Sequence, residues 1–367
     1  MLGAIQAGRR PVMPSVKDRC RGMLLGTAVG DAVGLPSEGI PRARARKIFK
    51  GPWRHRFMFG RGMMSDDTEH TFFVVQSLLA HPKSAERFGR RLGFCLKWWF
   101  ASLPAGIGLA TTRACIKLWL GFGYRRSGVA SAGNGPAMRV APIGAFFFRS
   151  QEELIAFTQV CTMVTHTDPK ALIGAEAIAL TAAWIVRDDL HQRPAVDVFC
   201  RLLRDIAPED ADWVGIVTKM NDRLTRGVSV DDFAMSLGLG KEVSGYMYHT
   251  VPIVLFAWHR HFNDYRATLS AVLDCGGDTD TTGAIAGALA GLTVGETGIP
   301  VDWVDGIKEW PRTITLLSGV ADRLSDLREN GTSLGPAGYF WPGLVLRNIL
   351  FLAIVLFHGF RRLFPPY

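Results

Sequence analysis

The sequence lacks paired-cysteine spacings. Its six cysteines, Cys20, Cys95, Cys115, Cys161, Cys200 and Cys275, lie far apart, with no Cys-x-x-Cys and no Cys/His spacing suited to zinc. The economical reading is a set of reduced, buried thiols in a cytoplasmic protein. Alternating apolar and polar runs are also scarce, which argues against a sheet-built architecture. No fixed-period repeat, low-complexity segment or long Pro/Gly/Ser linker is present, so nothing forces a solenoid or a domain boundary. Residues 1–22 have no uninterrupted apolar stretch followed by a small-residue cleavage site, and do not read as a secretory signal.

Helical periodicity is what the sequence does contain. The 367 residues, 48% of them hydrophobic, suffice for one large domain or two ordinary ones. Apolar residues recur at helical spacing over 21–33, 68–81, 85–102, 172–187, 194–206, 251–259, 267–273 and 280–292. The pattern predicts an all-α bundle.

Net charge is +9, and eight Lys/Arg fall within 41–61, interleaved with aromatic residues. A solvated basic loop is the simpler reading, and a surface for a phosphate-rich partner such as a nucleic acid is the other. Toward the C-terminus, residues 349–357 are nine consecutive apolar residues, yet the stretch 344–360 around them carries Arg347, Asn348 and His358. A spanning helix needs about 20 predominantly apolar residues. Three readings stay open for this segment: a docked helix, an interfacial membrane anchor, or a span.

Two acidic clusters carry the chemistry. Within residues 275–291, Asp278 and Asp280 stand among threonines behind Gly276 and Gly277, which predicts a turn and then a helix start near Asp280. Gly283, Gly287 and Gly291 then recur at every fourth residue, so they share one face and allow another helix to approach closely, at a propensity penalty of roughly 1 kcal/mol each. The second cluster is Ser65, Asp66, Asp67 and Thr68, ahead of an apolar helix face of Phe72, Val75, Leu78 and Leu79. Each cluster reads first as a helix cap. One cap needs only one carboxylate, however, and a second one at a buried helix start needs a cation or hydrogen-bond donors to hold it. If the clusters meet, two carboxylates and a hydroxyl from each would supply six oxygen ligands, the set that Mg²⁺ or Mn²⁺ prefers.

Five motifs, at residues 18–39, 64–71, 133–144, 165–180 and 276–291, occur in the order found in the ADP-ribosylglycohydrolases of the dinitrogenase-reductase-activating type, and the sequence resembles that family over about residues 17 to 315. The resemblance implies a compact orthogonal multi-helix bundle with a binuclear site for two Mg²⁺ ions, Mn²⁺ being the substitute. It further implies hydrolysis of the glycosidic bond between ADP-ribose and an acceptor. The expected layout is an N-terminal extension over 1–16, the family domain over 17–337 and a hydrophobic C-terminal helix or tail over 338–367.

Position by position, the resemblance makes Ser65, Asp66, Asp67, Asp278, Asp280 and Thr281 metal ligands, and Glu38, Asp67 and Asp278 the catalytic carboxylates, with Glu38 the general acid/base. Gly133, Asn134 and Gly135 would hold the diphosphate or ribose through main-chain N–H groups, with Arg139 supporting that loop. His166 would lie near the phosphates or proximal ribose, and Tyr246 would stack on adenine or fill the core. Asp31 reads as structural. The acceptor implied is an ADP-ribosylated protein side chain such as arginine, with a nucleic-acid-linked acceptor weakly supported by the basic stretch. The alternatives are a non-catalytic ADP-ribose-binding module and a membrane-associated regulator using the C-terminal helix.

Overall fold

The computed structural model describes residues 14–332 and 334–364, so most of the expected N-terminal extension lies outside the described residues. The chain begins with α1 (Val16–Gly34), the short α2 (Arg42–Ile48), α3 (Asp66–Ala80), α4 (Ala85–Ala101), α5 (Leu109–Trp119) and α6 (Tyr124–Ser127). It continues through α7 (Ala141–Phe146), α8 (Gln151–Met163), α9 (Pro169–Arg187), α10 (Val196–Arg204), α11 (Ala211–Thr225), α12 (Val230–Ser236) and α13 (Met247–Arg260). The last helices are α14 (Tyr265–Leu273), α15 (Thr279–Val294), α16 (Val301–Gly306), α17 (Ile314–Asn330) and α18 (Gly343–Arg361). All eight expected helices are present. Among the described residues the only strands are β1 (Ile40–Pro41) and β2 (Gly276–Gly277), antiparallel with Ile40 opposite Gly277.

Helices α8, α11 and α17 were not expected from periodicity. Each is fixed at its start by a side-chain cap, from Ser150, Asp210 and Thr313, and buries a narrow apolar stripe such as Trp213, Val217, Met220 and Leu224 of α11.

At the centre, α1 and α15 lie against each other and are buried around their whole circumference, from Gly22 to Gly34 and from Thr279 to Thr293. Their contact is made by two interlocking glycine ladders. A Cβ on Gly22, Gly26 or Gly30 would overlap the carbonyl oxygen of Gly291, Gly287 or Gly283 respectively, and the reverse overlap holds for each partner. The backbones therefore touch. Arg19 closes one end of the pair by donating to the carbonyls of Leu292 and Thr293 at 2.9 and 3.0 Å, which satisfies orphan groups at the end of α15. Thr279 closes the other, its Oγ1 donating to the Gly34 carbonyl at 2.9 Å.

One expectation changes here, and one of three open readings describes the fold. The basic stretch 41–61 is not simply a solvated loop: its first part is α2, and Arg42 is buried and ion-paired to Asp231. The C-terminal segment is a helix docked along one face, with the buried pair Arg347–Glu309 at 2.6 Å and Asn348 donating to the Ser102 carbonyl at 2.8 Å.

Gly287→Leu should unfold the protein or remove more than about 3 kcal/mol of stability, because the facing group is backbone and has no rotamer to escape to. Gly319→Ala in α17, where nothing lies within 4 Å, should stabilise by up to about 1 kcal/mol. Urea unfolding of both variants checks the contrast.

Candidate functional site

Asp31 builds the first half of the site. It sits on α1 one turn before Gly34, and its carboxylate accepts hydrogen bonds from Ser65 N at 2.8 Å, Thr68 N at 3.2 Å and Thr68 Oγ1 at 2.5 Å. A side chain of one helix thus caps the start of another, and the expected structural role of Asp31 is met. Burial pushes its carboxyl up to about 6 against the pull of those donors. Met64, just upstream, is held by Glu309, whose Oε2 accepts from Met64 N at 3.0 Å. Ser65 is the N-cap of α3, its Oγ accepting from Asp67 N at 3.3 Å.

The second half begins at Gly276 and Gly277, which adopt φ of +66° and +83°; a Cβ at Gly277 would also overlap the Val243 carbonyl. Asp278 follows at the N-cap of α15, yet its side chain makes no capping bond. The carboxylate turns instead to Asn134, whose Nδ2 donates to Asp278 Oδ2 at 2.6 Å.

The two acidic clusters meet. Thr281 Oγ1 donates to Asp67 Oδ2 at 3.3 Å across 214 residues of sequence. Asp67 Oδ1 and Asp280 Oδ1 are buried with no hydrogen-bond partner. Burial pushes the carboxyls of Asp66, Asp67 and Asp280 well above the usual carboxylate range, and neighbouring charge adds to it, led by Glu38 for Asp66 and Asp280 and by Asp66 for Asp67. Burial and then Asp278 push Glu38 up to about 7. Among the described residues no group of three or more His, Cys, Asp or Glu is drawn tightly enough to hold a metal as it stands.

Beside the carboxylates lies the expected binding loop. Asn134 N donates to the Gly245 carbonyl at 2.9 Å, Met247 N to Ala132 at 2.8 Å, and Gly133 bridges Tyr246. His166 closes the loop from below: a Cβ on Gly133 would lie 3.1 Å from its Nε2, and one on Gly135 would lie 3.0 Å from its Cε1. Burial and then Arg139 lower His166 to about 3, so the ring is neutral. Arg139 holds the His166 segment rather than the glycine loop, donating to the Cys161 carbonyl at 3.0 Å and to Thr165 Oγ1 at 2.5 Å. Tyr246 is half-buried at the edge of the loop, with its ring 4.9 Å from His249.

Glu38, Asp66, Asp67, Asp278, Asp280, Thr281, Asn134, Gly133, Gly135 and His166 therefore belong to one region. Three supporting residues gave no signal in the sequence: Thr250, which shares the Asn134 amide at 2.9 Å, Glu309, and Arg362, which donates to the Pro36 and Glu38 carbonyls at 2.8 and 3.0 Å.

The chain belongs to the ADP-ribosylglycohydrolase family, whose model matches residues 13–333. It is 29% identical over 307 residues to the ADP-ribosyl-[dinitrogen reductase] glycohydrolase of Rhodospirillum rubrum, covering 79% of this chain and 90% of that protein. It is 24% identical over 336 residues to the ADP-ribosylhydrolase ARH3 of Xenopus tropicalis, covering 80% of this chain and 91% of that one. A solved structure described as an ADP-ribosylglycohydrolase-related protein complex superposes with a TM-score of 0.61 at 26% identity, over 84% of this chain and 99% of its own. The family and its named relatives are hydrolases, and this chain is an enzyme of that class.

The raised carboxyls set a pH dependence for chelator-treated protein. Between about pH 4.5 and 7 an unfolded Glu38 gives up its proton while the folded one, pushed up to about 7, still holds it, and the three aspartates are shifted in the same direction. The folded state binds more protons over that interval, so this group of carboxyls contributes less stability as pH rises through it. Urea midpoints should show that fall between about pH 5 and 7, and Glu38→Gln should flatten the slope.

Proposed function

We propose that the chain hydrolyses the glycosidic bond between ADP-ribose and an acceptor, in the first instance a protein arginine, with two Mg²⁺ or Mn²⁺ ions held by Ser65, Asp66, Asp67, Asp278, Asp280 and Thr281. One observation carries this reading: two acidic helix starts converge and leave buried oxygens of Asp67 and Asp280 without a partner. Structural carboxylates are ordinarily satisfied, as Asp31 is here. The donor set is hard oxygen throughout, which suits these ions. Bound there, the ions would neutralise the clustered charge and supply Lewis acidity for orienting ribose hydroxyls and a water.

The residues of the chain account for the rest. Glu38, held near neutrality, can give or take a proton at physiological pH, as a general acid/base must. Asp278 is oriented by Asn134, which fixes which of its oxygens faces the site. Gly133 and Gly135 carry no side chain to hinder a ligand's approach to the loop, whose Asn134 N and Gly133 N are themselves bonded to the Gly245 carbonyl and Ser131 Oγ, and His166, neutral and buried, shapes its floor. Tyr246, exposed in part at the loop edge, offers a ring for the adenine. An arginine acceptor is supported by a further relative, the ADP-ribosylarginine hydrolase Tri1 of Serratia proteamaculans, 23% identical over 319 residues.

The test is release of free ADP-ribose from ADP-ribosyl-arginine and ADP-ribosyl-serine peptides, with Mg²⁺, Mn²⁺ or a chelator. Release from the arginine peptide should stop on chelation and fall by about 10²-fold or more in Asp278→Asn. Release that persists in the chelator would overturn the metal reading, and tight ADP-ribose binding without release would make the chain a binding module. Glu38→Gln should lower kcat by about 10²–10⁴-fold while leaving ADP-ribose affinity intact, and should remove one limb of the pH profile.

A further inference from the structure

Helix α18 is amphipathic in the opposite sense to a water-facing helix. Its polar residues point inward and are bonded to the domain: Arg347 to Glu309 at 2.6 Å, Asn348 to the Ser102 carbonyl at 2.8 Å, His358 to the Phe57 carbonyl at 2.6 Å, and just beyond the helix Arg362 to the Pro36 carbonyl at 2.8 Å. Its outer face is apolar. Leu346, Ile349, Leu352, Leu356, Phe357 and Phe360 are each between 43% and 68% exposed, and no charged residue interrupts them. A contiguous apolar face of this length on a domain surface marks a binding surface. It also lies beyond residues 13–333, so the family domain does not account for it.

The surroundings say what covers it. Beside the outer face runs a cavity of about 1110 Å³, lined by Ile354 and Phe357 on one side and by the exposed Lys47, Lys50, Arg54 and Arg61 on the other. The tight turn between Met58 and Arg61 holds Phe59 in the left-handed region with its side chain wholly exposed. At the other end Trp341 packs on Trp98 and Trp98 on Trp119, each pair 5.7 Å apart, with Lys97 over the Trp119 ring. An apolar strip bounded by indole rings and cations is complementary to the acyl edge and anionic headgroups of a phospholipid bilayer. Pairing with a second copy through the same face would set these cations against themselves.

The helix does not span. It has 19 residues and a mean hydropathy of 1.9, enough by length and composition to cross a membrane. Crossing would drag Arg347 and Asn348 from their partners into hydrocarbon. We infer that α18, the Phe59 turn and the basic groove between them form a docking face for an anionic phospholipid bilayer, with α18 lying flat in the headgroup plane.

The test is co-sedimentation of the full chain with vesicles of phosphatidylcholine alone or with about one third phosphatidylserine. The chain should pellet with the anionic vesicles, less so as salt rises. Leu356→Glu with Phe360→Glu should reduce the bound fraction about tenfold at an unchanged melting temperature, both side chains being exposed. Lys50→Glu with Arg54→Glu, which leaves α18 untouched, should do the same. Failure to pellet with either vesicle would overturn the proposal. Equal pelleting with both would overturn the anionic assignment, and a dimer in light scattering that Leu356→Glu dissolves, without vesicle binding, would assign the face to a second copy.

Discussion

The backbone contact between α1 and α15 is the constraint on which the site depends. Helix axes ordinarily pack 8–10 Å apart because side chains stand between them, and a glycine at every fourth position on both helices removes that spacer. Glycine lowers helix propensity by roughly 1 kcal/mol per residue, so the pair is stable only because the surrounding helices bury it completely. The consequence is geometric. The end of α1 and the start of α15 are fixed to one another through Gly34 and Thr279, and each carries a carboxylate that organises the site. Asp31 on α1 places the start of α3, and Thr281 on α15, next to Asp280, then bonds Asp67 at that start.

The electrostatics divide the acidic residues into two kinds. Asp31 and Glu309 accept several hydrogen bonds each, and their role is complete within the protein. Asp67 and Asp280 keep buried oxygens that nothing in the chain satisfies, and their carboxyls are pushed upward by burial and by each other's neighbourhood. Burying like charges without partners is costly, and a fold that keeps them has arranged donors around the cluster but not within it. Asn134 orients Asp278 from outside the cluster, and the hydroxyls of Ser65 and Thr281, within it, orient Asp67.

Much of this was legible in the sequence, and the residues show where legibility stopped. The eight strongly periodic helices, the surplus carboxylate in each cluster and the Gly-Asn-Gly loop are local signals, and each names its position. The glycines of α1 at 22, 26, 30 and 34 are as regular as those of α15, but a single ladder does not say which helix it meets. Asp278 read locally as a cap, because a carboxylate at a helix start is the usual cap; the turn at Gly276 and Gly277 aims it toward Asn134 instead. Thr250, Glu309 and Arg362 act across 116, 245 and 324 residues, and no pattern within a window contains such pairings. The narrow stripe of α11 fell short for a different reason: four buried residues stand among seven exposed ones, so the apolar signal is thin.

Arginine, asparagine and histidine in the C-terminal segment illustrate how one residue set supports opposite conclusions. In the sequence they count against insertion in a membrane, because a polar side chain in hydrocarbon must find a partner. In the fold their partners are found on the domain, which removes the objection for the face they have vacated and keeps it for the helix as a whole. What remains is an outward apolar face that is poorly placed in water. The same inward bonds reach the candidate site: Arg362 donates to the carbonyls of Pro36 and Glu38, and its charge opposes the upward shift of the Glu38 carboxyl. Arg362, just beyond α18, is thus one point at which the added helix is tied to the family domain beside Glu38.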